Sequence, residues 1–302
     1  MNSTGCGSAA TVPRVFIAEV PPTPPASMVA TAPDSYLKRS YVFPQQRALL
    51  DPSWPTPGKR PPTFGIDVSN WTKTIDWPTV ATPPTRVGKV APRKVHFSFT
   101  KATQGTYRDP YFDANWKGTA AAGLIRGAYN FGVFKKNPIK DARFYVNYVN
   151  ASGGFRSTGD FAILDAEGPT NKKRKAVVKW MTQWTKEVRR LTGLPANRIV
   201  IYTGKWWWAP KTGNSTKFAK LGYRLWLSGY GKKPSLPGWK WSWWQYTDRA
   251  KVPGITGGTD ANIWRGNAAS LWQAAGLSGP PVPDPAPEPT PDPGPTDPIP
   301  AP

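Results

Sequence analysis

The stretch Phe161-Ala-Ile-Leu-Asp-Ala-Glu-Gly168 decides how this chain is read. It is a short apolar run that ends in two carboxylates, two residues apart. Side chains on a strand repeat every second residue, so Asp165 and Glu167 are expected to point the same way. Two acids facing one spot at the end of a buried strand suit the cleavage of a glycosidic bond. One of them must hold a proton while the other stays charged. Glutamate is scarce here: the chain has Glu19, Glu167, Glu187 and Glu288, and only Glu167 closes an apolar strand-like run.

Working outward, short β-rich runs recur at 64–67, 95–101, 126–131, 161–167, 199–202, 224–228, 241–246 and 258–264. Helical patterns separate several of them. Asp109-Pro110 reads as the cap and first turn of a helix that Gly123 closes. A second helix is expected over 139–150. The strongest spans about 172–192, where Val177, Trp180, Met181, Trp184, Val188 and Leu191 fall at helical spacing and Gly193 stands as a stop. Those apolar residues are read as packing against a sheet.

Alternating strands and helices argue for a parallel sheet with crossover helices. The gaps 229–240 and 247–257 are too short and too rich in Gly and Pro to hold packed helices. The expected fold is therefore α/β, an irregular eight-stranded β/α barrel of TIM-like type with reduced helices in its second half. Active-site residues of such barrels sit at the C-terminal ends of the strands. Asp67, Lys101, Tyr129, Asp165, Glu167, Tyr202, Gln245 and Asp260 all lie at or near expected strand ends.

The barrel is expected over 63–279. Residues 1–62 read as an irregular N-terminal arm rich in Pro, Ser and Thr. Residues 280–302 alternate Pro with acids and small residues, an extended tail or linker that builds no core. Of the 40 basic residues 34 fall in 63–279, against 11 of the 18 acids, so this segment carries +23. Such a field attracts polyanions. Nucleic acid is not the expected partner, because no RNP-type motif, zinc spacing or basic helix accompanies the charge. An anionic bacterial wall fits it.

Cys6 is the only cysteine, so no intrachain disulfide is possible. His96, the only histidine, sits in a strand-like run and is expected to be structural. A Ser-His-Asp site or a multi-histidine metal site therefore has little to draw on. Apolar runs are too short for a membrane span, and 15–18 is too short for the apolar core of a signal peptide. Asp67, Asp165, Glu167 and Asp260 are expected to gather at the barrel mouth, where crowding raises at least one pKa. A carboxylate cluster could also hold Mg²⁺ or Ca²⁺. The basic and aromatic surroundings favour acid catalysis, and no cofactor or metal is expected.

The motifs now become specific. Gly65-Ile-Asp-Val-Ser-Asn-Trp71, Lys101-Ala-Thr-Gln-Gly-Thr-Tyr107, Asp109-Pro-Tyr-Phe112, Arg126-Gly-Ala-Tyr-Asn-Phe131, Leu164-Asp-Ala-Glu167, Ile201-Tyr-Thr203, Leu225-Trp226, Trp244-Gln-Tyr-Thr247 and Asp260-Ala-Asn262 resemble the lysozymes of glycoside hydrolase family 25. They run in the family's order over about 64–276. The resemblance implies an irregular β/α barrel. It also implies hydrolysis of the β-1,4 bond between N-acetylmuramic acid and N-acetylglucosamine in peptidoglycan. By position Glu167 matches the general acid. Asp165 matches the carboxylate that stabilises developing positive charge or the acetamido group, and Asp67 and Asp260 match further cleft acids. A retaining, substrate-assisted course is implied, with the 2-acetamido oxygen as nucleophile.

Two places depart from the family pattern. Asn130 stands where many relatives carry His, and the loop 204–221, with Lys205-Trp-Trp-Trp208, looks unusual. Both are expected to bear on sugar contacts. Among 16 tryptophans and 11 tyrosines, Trp71, Tyr129, Tyr202, Trp226, Trp244 and Tyr246 are the candidate sugar platforms, because ring faces stack on sugar faces. Gln245 and Lys101 join them as polar binding candidates. Two other readings compete: a chitinase-like glycosidase, and a non-catalytic wall-binding or virion structural module. The basic charge disfavours neutral chitin, and the intact acid set disfavours a module that has lost its activity. The expected setting is a monomeric phage endolysin, held in the host cytoplasm and acting on the wall after release. A protein secreted to the wall is the alternative.

Overall fold

The structure is a computed structural model that describes residues 63–82, 85–87, 90–135, 137–231 and 233–283. The expected arm, 1–62, with Cys6, lies outside the described residues, as does the tail beyond Pro283.

Eight strands close a barrel. They are β1 (Thr63–Val68), β4 (Val95–Gln104), β6 (Ile125–Phe131), β7 (Asp160–Asp165), β8 (Ile199–Gly204), β9 (Arg224–Ser228), β10 (Trp243–Ala250) and β11 (Thr259–Trp264). β1 pairs with both β4 and β11, which seals the ring. The short strand β5 (Tyr107–Arg108) adds to β4, and β2 (Thr85–Val87) pairs with β3 (Val90–Arg93) as a separate hairpin.

The expectation of an all-parallel sheet is corrected at one strand. β11 runs antiparallel to both β1 and β10, while the other barrel pairs are parallel. The reason is the short connection 251–258. A hairpin-length link can join only antiparallel strands, whereas a parallel crossover needs a dozen residues or more. Asp260 stands at the start of β11, so only this reversal carries it to the same mouth as the ends of the other strands.

Helices cover the outside: α1 (Trp77–Ala81), α2 (Phe112–Ala121), α3 (Pro138–Ala151), α4 (Arg174–Thr192), α5 (Lys205–Thr212), α6 (Lys217–Lys220) and α7 (Ala268–Ala274). Asn137 caps α3 by accepting the N–H groups of Ile139 and Lys140, with Pro138 in the first turn. Gly193 ends α4 at φ 68°, a left-handed position that glycine adopts without strain. Asp109 sits two residues further out than expected. Tyr111 is the N-cap of α2, and Asp109 Oδ1 instead accepts the Tyr111 N–H at 2.9 Å. The unusual 204–221 segment is not a loop but α5 and α6. No helix separates β9 from β10 or β10 from β11 among the described residues.

The strand alternation sorts residues into two cores. Leu164, Ile201, Leu225 and Leu227 face outward and meet the α4 stripe of Val177, Trp180, Met181, Trp184 and Val188, with Leu191 partly buried beside it. The inward residues form layers. Phe97, Phe99, Phe161, Trp226, Trp243 and Trp264 fill the barrel beneath the mouth and meet largely edge-to-face or tilted, at centroid distances such as 4.9 Å for Phe99–Trp226 and 4.8 Å for Trp243–Trp264. Fully burying one large apolar side chain stabilises by about 1.5–3 kcal/mol. Gly127 makes room for this packing, since a Cβ there would lie 2.7 Å from both Phe99 and Ile163.

Candidate active site

Above the aromatic layers, the next inward position on each strand is polar. β1 presents Asp67, β4 Lys101, β6 Tyr129, β7 Asp165, β8 Tyr202, β10 Gln245, and β11 Asp260 and Asn262. The reversal of polarity along each strand makes one end of the barrel a packed core and the other a cleft.

Asp67 is buried and held by two amides. Its Oδ2 accepts from Asn262 Nδ2 at 2.7 Å and from Gln245 Nε2 at 3.0 Å. Gln245 Oε1 in turn accepts from the Tyr202 hydroxyl at 2.8 Å, with the Tyr230 hydroxyl at 3.3 Å. Asn262 Oδ1 accepts from Trp226 Nε1 at 2.7 Å. A single network thus joins the acid on β1 to the floor tryptophan on β9. Asn262 and Tyr230 were not among the expected site residues. The signal for Asn262 was present in Asp260-Ala-Asn262, because that spacing puts both side chains on one face of a strand. Tyr230 lies past the end of β9, in a stretch without periodicity.

β7 ends at Asp165, and Glu167 lies just beyond it. The ladder continues for one more residue, with Ala166 N–H donating to the Tyr202 carbonyl at 2.8 Å, so the strand-like placement of Glu167 survives the formal end of the strand. Gly168 follows against the chain at Gly132, where a Cβ would lie 2.0 Å from the Gly132 carbonyl oxygen. Trp207 Nε1 donates to the Gly168 carbonyl at 2.8 Å. The Trp-rich start of α5 therefore fixes the segment that carries Glu167. Asp165 Oδ1 is buried and has no hydrogen-bond partner within the protein.

Crowding and burial raise the acids. Burial pushes Asp67 up to about 6, against the pull of its Asn262 and Gln245 donors. Burial and then the neighbouring Asp67 push Glu167 up to about 7, with Lys101 acting the other way. Asp165 is raised by burial first and by Glu167 next, and Asp260 by burial first and then by Asp67 and Asp248. Lys101 is buried among them. Burial lowers its pKa, opposed by Asp109, Asp165 and Glu167, and its Nζ donates to Gln104 Oε1 at 2.9 Å. Lys101 thus lies within the field of Asp109, Asp165 and Glu167. Among the described residues no group of three His, Cys, Asp or Glu side chains is arranged to hold a metal ion.

The aromatic candidates divide. Trp71 is 60% exposed on the segment after β1 and is free to meet a ligand. Tyr129 and Tyr202 are buried to 9% and 6% exposure in the layer of the acids, and the Trp226 ring lies 4.4 Å from Tyr202 as floor rather than platform. Trp244 is a correction. It points out of the barrel, is 1% exposed, and donates from Nε1 to the Gly229 carbonyl. Tyr246 packs partly buried in the same outer layer. Period-2 alternation explains both, since Gln245 between them takes the inward side. Asn130 is a second correction. It faces outward and is fully buried, donating to Asp141 Oδ1 at 2.9 Å and accepting from Thr103 Oγ1 at 2.7 Å. His96 is half-buried near the start of β4, far along the strand from Lys101, and burial pushes its pKa down to about 4.

Comparison with known proteins agrees with this geometry. The family described as glycosyl hydrolases family 25 matches residues 66–255. The Escherichia coli (strain K12) protein YegX is 34% identical over 212 residues, covering 68% of this chain and 71% of that protein. Lysozyme M1 of Streptomyces globisporus is 30% identical over 217 residues, covering 68% and 69%. Among solved structures, a bacterial lysozyme from Streptomyces coelicolor superposes with a TM-score of 0.63 at 27% identity, over 73% of this chain and all of that one. A family GH25 lysozyme from Aspergillus fumigatus gives 0.60 at 27% identity, covering 71% and 99%. With a closed mixed barrel, an acid-lined mouth and a family match over most of the barrel, the chain belongs to glycosyl hydrolase family 25 and is a glycoside hydrolase of the lysozyme type.

Proposed function

We propose that the protein is a muramidase that cleaves the β-1,4 bond between N-acetylmuramic acid and N-acetylglucosamine in bacterial peptidoglycan, with Glu167 as the general acid. The observation that carries this reading is the pairing of Glu167, whose pKa stands near 7, with Asp165 Oδ1, which is buried and has no partner. An acid poised near neutrality can give its proton to the glycosidic oxygen. The unpartnered Asp165 Oδ1 next to it can accept the N–H of a 2-acetamido group, as carboxylate or as the carbonyl oxygen of the acid, turning the acetamido oxygen toward the anomeric carbon. Proton transfer from Glu167 and attack by that oxygen break the C–O bond and leave a cyclic oxazolinium. Water then opens it, giving its proton to Glu167, and the configuration is retained.

Asp67 and Asp260 line the mouth with carboxyl oxygens whose dipoles favour a cationic transition state, while their raised pKa values keep part of their charge neutralised. Trp71 offers an exposed face for a neighbouring sugar. The setting we propose is phage-driven lysis of a bacterial cell, the enzyme reaching the wall after release from the host cytoplasm. The net charge of +22 supports attraction to an anionic wall.

The test is digestion of purified peptidoglycan by wild type and Glu167→Gln, with the products reduced and the new end sugar identified by mass spectrometry. Muramic acid ends from wild type alone are expected. Glucosamine ends would move the cut to the other bond. No new ends on several wall types would overturn the reading.

A further inference from the structure

The positive charge is not spread evenly over the barrel. From Pro169 to Arg224 the chain holds 14 basic residues and a single acid, Glu187. Glu187 is already taken up on another face, bonding Arg143 at 2.7 Å and Arg190 at 2.8 Å. This segment contributes α4, α5 and α6. Between them runs a groove with a cavity volume of about 480 Å³, lined by Arg174, Lys175, Lys179, Lys186 and Lys217 over a floor that includes Val178. Thr182, Gln183, Thr212 and Ser215 complete the lining, which contains no acid.

Two features make this a formed groove rather than a scatter of solvated lysines. First, the two sides are tied together at the end near the mouth. Arg174 Nε donates to the Pro210 carbonyl at 3.1 Å, and Lys211 Nζ donates to the Thr170 carbonyl at 2.8 Å. Second, the cations follow one line. Lys175, Lys179 and Lys186 share a face of α4, and 11 residues at about 1.5 Å each span about 16 Å. The line starts on the barrel end that carries the cleft, because α4 opens after the C-terminal end of β7 and Arg174 lies seven residues beyond Glu167. Its first turn holds no acid and no side-chain cap, so its N-terminal N–H groups add to the positive field.

We propose that this groove binds a linear polyol-phosphate chain of the bacterial wall, holding the enzyme so that the glycan reaches the mouth. The proposal rests on the muramidase reading. Phosphodiester charges repeated along one linear chain match a row of ammonium groups better than the carboxylates of wall peptides do, because those carboxylates sit on short side branches and form no continuous line. Wall phosphate is favoured over nucleic acid because the helix that carries the groove follows directly on the segment that carries Glu167, the proposed acid for wall glycan.

The test uses the full chain and a poly(glycerol phosphate) of defined length, with affinity measured at low and high salt. The groove variant neutralises four exposed residues, Lys175→Ala, Lys179→Ala, Lys186→Ala and Lys217→Ala. A control variant removes the same charge elsewhere, Lys94→Ala, Lys140→Ala, Lys240→Ala and Lys251→Ala. The groove variant is expected to bind the polymer at least 10-fold more weakly and to lose much of the salt dependence, with the control within about three-fold of wild type. Both variants should digest peptidoglycan stripped of phosphate polymers as wild type does. Equal loss in both variants would reduce the effect to net charge and overturn the site. Equal or tighter binding of a DNA duplex of the same charge, lost in the groove variant, would overturn the choice of partner. If wild type fails to digest stripped peptidoglycan while groove-dependent binding persists, the muramidase reading fails and the groove stands as a wall-binding site.

Discussion

Asp67 and Asp260 are direct partners across the antiparallel β1–β11 pair, so two carboxyls share one face of the sheet at the barrel mouth. Like charges placed directly opposite repel, and burial strengthens the repulsion. After burial, Asp67 is the largest cause of the raised Asp260 pKa, and it lifts Glu167 as well. The site is thus built to keep protons that isolated carboxyls would release.

Stability should therefore fall as pH rises through this range. The folded pKa of Glu167, about 7, and of Asp67, about 6, stand above their ordinary values of 4.5 and 3.8, so the folded state binds more protons than the unfolded chain in between. The destabilisation is absent below about pH 4 and complete above about pH 7. Glu167→Gln should raise stability at pH 8 by on the order of 2 kcal/mol and leave it nearly unchanged at pH 4. Urea titrations at the two pH values check this, and an equal gain at both would defeat it.

Catalysis should show the same group from the other side. If Glu167 donates the proton, kcat on a soluble wall oligosaccharide should decline as pH rises through about 7. A pH–rate profile without an alkaline limb near that value would remove Glu167 from the role of acid.

Asn262→Ala takes the strongest donor from Asp67 and the acceptor from Trp226 Nε1. Leaving a buried donor unsatisfied costs about 1–3 kcal/mol. The Asp67 pKa should rise further, since a stabilising donor is gone. Carboxyl titration by NMR reads the pKa, and thermal melts read the cost.

Trp71 and Trp226 should separate binding from packing. Trp71→Ala removes an exposed ring and should leave stability within about 0.5 kcal/mol while raising KM several-fold. Trp226→Ala empties a buried site in the barrel and should cost about 3–5 kcal/mol. Equal melting temperatures for the two variants would contradict the assignment.

Asp160, at the opposite end of β7 from the cleft, holds Arg126 Nε at 2.9 Å and Arg156 Nη2 at 3.0 Å. Asp160→Ala leaves the buried Arg126 guanidinium without its carboxylate and should cost about 3–5 kcal/mol. The pH–rate profile of the protein that remains folded should match wild type, because the cleft acids are untouched.

Much of this was legible along the chain. The α4 stripe and its Gly193 stop, the alternation that turns Gln245 inward, and the pair Asp165 and Glu167 follow from local periodicity, which any chain obeys before it folds. Trp244 and Asn130 were misread because being near a strand end says nothing about which side of the wall a residue takes. That side is set by register, where one residue of slip exchanges inside for outside. Asn262 and Tyr230 were missed because their roles exist only through partners distant in the chain, such as Asp67, 195 residues from Asn262.

The sequence by itself determined the class of fold, the strand-end acids and the basic composition, since period, turn residues and charge are local properties. The tertiary structure alone decided the direction of β11, the meeting of Asp67 with Asp260, and the alignment of lysines from α4 and α6 along one groove. Each of these depends on closing a ring of eight strands, and closure is a condition on the whole chain that no short stretch carries.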